Sequence, residues 1–227
     1  MRSLLPSGCL ALLLFAGVLL LPFFLADVML TALGRLGLGP GTSVAAAFAI
    51  FVGGMVNIPV RRLQVERRPN GAIPHLFGLG RGFFPQPPRR EELVIAVNVG
   101  GCVVPAGLAA YQLTLMAGQG STVLGAGLLA IASNTAICYW VARPIENVGI
   151  AMPPLVPALV AAVSALLMTP DFAPPVAFSA GVLGPLIGAD LLHIDDIKEI
   201  STGAASIGGA GTFDGIVLSG LVATLLA

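Results

Sequence analysis

The sequence predicts an all-α, polytopic integral membrane protein: one bundle of about seven transmembrane helices with its N-terminus in the cytoplasm. Three observations predict it. Hydrophobic residues fill 56% of the 227 positions and charged residues only 10%, against about 25% charged in an ordinary soluble domain. So few charges cannot cover a water-soluble globule, but they suffice where most of the surface faces lipid. Apolar runs of about 20 residues, the length of a bilayer-crossing helix, recur along the chain. The basic residues, with one exception, gather in alternate connections.

Taken in order, the candidate spans are 9–33, 42–60, 93–117, 121–142, 148–169, 175–194 and 204–226. The first is too long for a signal-peptide core and is followed by no small-x-small cleavage site, so it reads as a helix. The segment 61–92 is the long polar stretch, rich in proline and carrying Arg61, Arg62, Arg67, Arg68, Arg81, Arg89 and Arg90. It reads as a cytoplasmic loop on the membrane surface, with a short interfacial segment around Leu76–Phe84. With the N-terminus inside, this loop, the Arg143 turn and the Lys198 turn all lie on the cytoplasmic side, as the positive-inside rule requires. Ten of the 11 Lys and Arg then sit there and only Arg35 falls outside. The 169–175 turn is external, residues 1–227 form a single transmembrane helical domain, and the expected location is the inner (plasma) membrane.

Composition also bounds the function. The net charge is zero, so no global field points to nucleic acid. Cys9, Cys102 and Cys138 lie in apolar runs without Cys-x-x-Cys or Cys/His spacing, which reads as small buried hydrophobes. No metal and no cofactor is expected. The expected partners are the lipid bilayer itself and a membrane-embedded peptide, small solute or cation.

Polar side chains inside a span are expensive unless they face the bundle or a wet cavity, so each is a candidate site residue. Asn57, Asn98 and Asn134 fall in the second, third and fourth spans. They suit either substrate binding or hydrogen bonding between helices. The pairs Gly53-Gly54 and Gly100-Gly101 read as close-packing surfaces. Asp27 lies near the external end of the first helix, and Asp195, Asp196 and Glu199 form a solvated acidic turn beside an interfacial His193. Asp190 and Asp214 differ from these. They sit on consecutive spans, toward the same side, and Asp214 follows the glycine-rich run Gly208-Gly209-Ala210-Gly211-Thr212-Phe213.

Two carboxyl groups sharing a site cannot both ionise cheaply, so they share a proton. One can then activate a water while the other protonates the departing group. Glycines before Asp214 let the backbone leave the helix and line a cavity, where membranes tolerate irregular backbone. A half-helix beginning near Thr212 would favour an ionised Asp214 and leave Asp190 as the proton carrier, with Gly209, Gly211 and Thr212 beside the substrate. The same features build a cation-coupled transporter, in which broken helices, paired acids and neutral oxygen ligands meet near the midplane. A third reading is a structural or assembly protein whose acids only hold the bundle together.

Several segments together carry a resemblance: Asn57-Ile58-Pro59, Asn98-Val99-Gly100-Gly101, Arg143-Pro144 with Val148-Gly149-Ile150, Gly188-Ala189-Asp190-Leu191-Leu192, and Ser206 through Ile216. On these the chain resembles a family of bacterial and archaeal multi-pass membrane proteins known only as domain of unknown function 1614. That likeness implies no activity. A second, weaker likeness is to the intramembrane aspartyl proteases, the presenilin, signal peptide peptidase and prepilin peptidase group. Those place one Asp on each of two helices, the second in a Gly-x-Gly-Asp motif. Here Asp190 and Asp214 take those places, but Thr212 and Phe213 intervene between Gly211 and Asp214, and a Pro-Ala-Leu stands at Pro157–Leu159, before the first Asp. This likeness implies a reaction type only.

Overall fold

A computed structural model describes residues 7–67, 89–145, 149–153, 155–200 and 203–227. The predicted interfacial segment Leu76–Phe84, with Arg68 and Arg81, lies outside them, as do Val148 and Pro154.

The chain is mostly helical. Helices α1 (Ser7–Arg35) and α2 (Pro40–Gly53) form a first hairpin, α3 (Val104–Gln119) and α4 (Ser121–Val141) a second, α5 (Leu155–Met168) and α6 (Ala173–Pro185) a third. Short α7 (Ile194–Ile200) precedes α8 (Gly215–Leu226). Among the described residues three stretches are long and apolar enough to cross a bilayer: Val99–Gln119, Ser121–Val141 and Pro170–Leu191. That is the character of a membrane protein. Their burial ranks them. The most apolar window of Pro170–Leu191 is 78% buried, against 39% and 28% for the other two. α6 is therefore the central post, packed by α3, α4, α5 and α8, while Leu128, Leu129, Leu159 and Leu167 on outer faces stay exposed, as lipid-facing side chains do.

The all-α expectation is corrected. Strands β1 (Asn57–Arg67) and β2 (Arg89–Asn98) pair antiparallel, and β5 (Ala204–Ile207) adds to β2 in parallel, giving the order β1-β2-β5. A small second hairpin joins β3 (Arg143–Ile145) to β4 (Gly149–Ala151). Four predicted boundaries move accordingly. The second helix stops at Gly53 rather than 60, because Gly54 closes it and the β-branched residues Val56, Ile58 and Val60 surround Pro59, which has no N–H for a helix. The run Leu93–Val97, read as the start of the third helix, is strand. The stretch 61–92, read as a surface loop, supplies both long strands. The fifth helix begins at Leu155, after β4 and Pro153, and the seventh at Gly215, after β5 and a glycine-rich loop. Apolar content alone does not separate a buried strand from a helix.

Helix direction alternates, so every sheet-forming connection falls at one end of the bundle. At the opposite end Arg35, the isolated cation of the sequence, donates from its Nη1 to the carbonyl oxygen of Leu225 at 2.9 Å. It thereby satisfies the free end of α8.

Candidate functional site

The site is built where chain leaves helix for sheet. The sheet-side ends of β1, β2 and β5 are tied by side chains. Asn57 Oδ1 accepts from Asn98 Nδ2 at 3.1 Å and from Ser206 Oγ at 2.6 Å. Asn98 Nδ2 also donates to the Gly54 carbonyl at 2.8 Å, and its Oδ1 accepts from Gly101 N at 2.7 Å. Just beyond this knot the backbones touch. A Cβ on Gly53 would lie 2.9 Å from Gly100 N, one on Gly208 2.6 Å from the Gly101 carbonyl carbon, and one on Gly211 2.9 Å from Gly54 Cα. Gly208 and Gly211 also hold φ of +69° and +59°, a left-handed conformation that side chains rarely adopt. Three chain crossings therefore meet backbone to backbone, as the close-packing reading of Gly53-Gly54 and Gly100-Gly101 anticipates.

Two of the helices at this junction are short. α2 has 14 residues and α8 has 12, so α8 rises only about 18 Å against a hydrocarbon core of about 30 Å. Two others widen into π-helical turns, Val99–Val103 below α3 and Leu186–Leu191 below α6. Such turns displace one residue from the regular ladder and concentrate at functional sites.

Asp190 sits in the second π-turn and Asp214 immediately before α8. Both line one cavity of about 440 Å3, together with β5, the Gly208–Ala210 loop, Ile95 of β2 and Ile150 of β4. Their settings differ. Asp214 caps α8: its Oδ1 accepts from Ile216 N at 3.0 Å and its Oδ2 from Ala210 N at 3.3 Å. The half-helix begins at Gly215, close to the predicted Thr212. Asp190 has no hydrogen-bond partner among the described residues; the cavity it shares with Asp214 brings no donor to it. Removing a carboxylate from water costs free energy at both positions. Two N–H donors and a helix N-terminus offset that cost at Asp214, and nothing comparable does so at Asp190. Among the described residues no group of three His, Cys, Asp or Glu side chains comes together to hold a metal.

Of the other sequence candidates, Gly209 lines the cavity. Gly211 and Thr212 lie in the turn between it and Asp214, Gly211 packed on Gly54. Asn57 and Asn98 are engaged in the strand knot. Asn134 lies apart, fully buried, donating to the carbonyls of Pro157 at 3.1 Å and Ala180 at 2.8 Å. Asp27 is exposed, and the predicted acidic turn is the first turn of α7. His193, beside that turn, is buried in the protein: it is 8% exposed, its ring lies 4.7 Å from Tyr139, and Nδ1 is 3.0 Å from the Gly188 carbonyl. It thus braces the turn that carries Asp190. Sequence reasoning missed β5, His193 and the β4 wall. The signal for β5 was present in five glycines between 203 and 215, too many for a continuous helix.

A family model described as "Protein of unknown function (DUF1614)" matches residues 51–226. The chain belongs to the DUF1614 family. The matched DUF1614 region contains the whole sheet, both π-turns, Asp190 and Asp214, and excludes α1 and most of α2. No curated protein and no solved structure matches the chain, so the likeness to intramembrane aspartyl proteases gains no support from the comparisons.

Proposed function

We propose that this DUF1614 protein is a hydrolase of the inner (plasma) membrane that uses Asp190 and Asp214 as an acid–base pair, with the sheet end facing the cytoplasm. The observation that carries the reading is the unequal placement of two carboxyl groups on one cavity. Asp214, held by two backbone donors, is equipped to stay ionised. Asp190, without donors, is equipped to hold a proton. Environments that push two acids apart in this way mark the base and the acid of a hydrolytic pair.

The chemistry closes with one water. Asp214 takes a proton from the water as its oxygen attacks the carbonyl carbon, and Asp190 gives its proton to the carbonyl oxygen. The tetrahedral species then collapses. The C–N bond breaks, a proton passes to the leaving nitrogen, and the products are a carboxylic acid and an amine. The acids end with one proton between them, as they began.

Transport by the same acids needs a second mouth on the far side of the bilayer. Between the cavity and that side stand Phe178, Val182 and the buried alanines of α6, so a passage would require the central post to move. The orientation rests on the basic residues of the sheet end, Arg61, Arg62 and Arg143 among them.

The test is cleavage of a single-span apolar peptide carrying a fluorophore and a quencher, in proteoliposomes. Asp190→Asn and Asp214→Asn should each lower the rate at least about 100-fold while the protein stays folded. Wild-type rates in either variant rule the mechanism out.

A further inference from the structure

The cavity has an edge of unpaired backbone, and that edge says what class of molecule fits it. Among the described residues β5 pairs with β2 on one side only, since the sheet order is β1-β2-β5. The amide of Val94 donates to the Gly203 carbonyl at 3.0 Å, which turns residue 203 toward β2. Backbone groups of successive residues in a strand point to opposite edges. Gly203, Ala205 and Ile207 therefore face β2, and Ala204 and Ser206 face outward. The outward N–H and C=O of Ala204 and the N–H of Ser206 have no hydrogen-bond partner among the described residues. The Ser206 carbonyl is taken by Gly209 N at 3.2 Å, so the open edge ends where the loop to Asp214 begins.

The open edge also faces the right way. Residues 204–210 form a continuous wall of the cavity that holds Asp190 and Asp214. Gly149 and Ile150 of β4 also line the cavity, and among the described residues the only paired neighbour of β4 is β3. Two strands, each bonded on one side, border one cleft. Unpaired strand edges recruit an extended chain, and main-chain hydrogen bonds then supply affinity with little demand on sequence.

We infer that the substrate is a polypeptide bound in extended form, its backbone added to the outer edge of β5 so that its next residues cross Asp190 and Asp214. This deepens the hydrolase reading and rests on it for the chemistry, but not for the binding. A membrane-spanning segment would have to leave its helix to bind, because only extended backbone presents groups that match Ala204 and Ser206. Neither a cation nor a small solute uses such an edge.

Binding is measured in the Asp190→Asn/Asp214→Asn double variant, in nanodiscs, so that turnover cannot intervene and a failure of the catalytic reading leaves this test intact. The probe is a labelled ten-residue Val/Thr-rich peptide, followed by fluorescence anisotropy. Its counterpart is methylated on alternate amide nitrogens, which removes the donors along one edge. The parent peptide should bind, and the methylated peptide should bind about fivefold more weakly, as expected for the one hydrogen bond lost to the Ala204 carbonyl, the outward acceptor left open. Ala204→Pro, which deletes an outward N–H without touching the ladder to β2, should weaken the parent peptide similarly. The methylated peptide keeps the test decisive if that variant does not fold. Deuterium exchange at Ala204 and Ser206 should slow on binding. Equal binding of both peptides, or binding of neither, overturns the inference. So does slow exchange at these amides without peptide, which would assign the edge to the chain itself, or to a second copy if it depends on protein concentration.

Discussion

The two ends of α6 solve the same packing problem differently. Away from the sheet, α6 meets α4, α5 and α8 through small residues on regular helix: Ala161, Ala165, Ala173, Ala177 and Ala180 are essentially inaccessible. Gly181 lets α8 approach until a Cβ would lie 2.8 Å from the Ser219 carbonyl oxygen. Regular helix serves its own backbone groups, so close approach leaves no opening. At the sheet end glycines again bring backbones together, but the crossing segments are strand, π-turn and loop. Irregular backbone cannot pack as cylinders do, and the gap it leaves is the cavity with Asp190 and Asp214 on its wall. Small residues close a membrane bundle when the backbone is helical and open it when it is not.

The strongest way to break this comparison is to add one carbon at the junction. A Cβ at Gly100 would run into the Ile50 carbonyl oxygen and the Gly54 nitrogen, backbone atoms that cannot rotate away. Gly100→Ala should cost upward of about 4 kcal/mol, the range reserved for gross steric conflict. Gly125 of α4, where nothing lies within 4 Å, is the control. Gly125→Ala should be neutral or gain about 0.5–1 kcal/mol from helix propensity. Thermal exposure of the buried thiols Cys102 and Cys138 to a fluorescent thiol reagent, in detergent, reads both. Equal melting of the two variants would show that the junction is looser than the geometry requires.

Asn134 tests the regular-helix packing beside the junction. Its amide bridges α4 to the carbonyls of Pro157 and Ala180, and the Pro157 carbonyl lies in the first turn of α5. Asn134→Ala leaves both acceptors short of a donor and opens a hole against Gly184. About 1–3 kcal/mol should be lost, with no change in peptide binding at the sheet end. Loss of binding without loss of stability would show that this helix contact and the cavity communicate.

How much of this was legible in the sequence depends on what each residue had to satisfy. α1 and α4 were readable because lipid imposes a length and a composition, and their ends at Arg35 and Val141 agree closely with it. The Asp pair was readable because a carboxyl group in an apolar run has few explanations. The sheet was not. Leu93–Val97 and Ala204–Ile207 are as apolar as the helices they adjoin, and what makes them strand is pairing with distant residues: β2 with β1 across the whole 61–92 stretch, and β5 with β2 across more than 100 positions. No local pattern carries such a partner. Asn57 and Asn98 were visible as polar residues in apolar surroundings, but that each would serve the other, and Ser206, follows only from the register that sets Asn57 opposite Asn98.

The smallest effect separates the two acids themselves. Asp214 is an N-cap, and Asp214→Ala removes an acceptor from the Ile216 and Ala210 amides, which should cost about 1 kcal/mol. Asp190→Ala removes a carboxyl group that no donor among the described residues serves. It should leave the melting temperature unchanged or raise it, since discarding an unpaired acid from a poorly hydrated place relieves a desolvation cost. A protein that kept these acids only to hold its bundle together would lose stability at both positions. Comparable loss on Asp190→Ala, measured by the same thiol exposure, would therefore favour the structural reading over the catalytic one. A stable Asp190→Ala protein would mean that the residue is retained at a cost to the fold, which is the mark of a group kept for its chemistry.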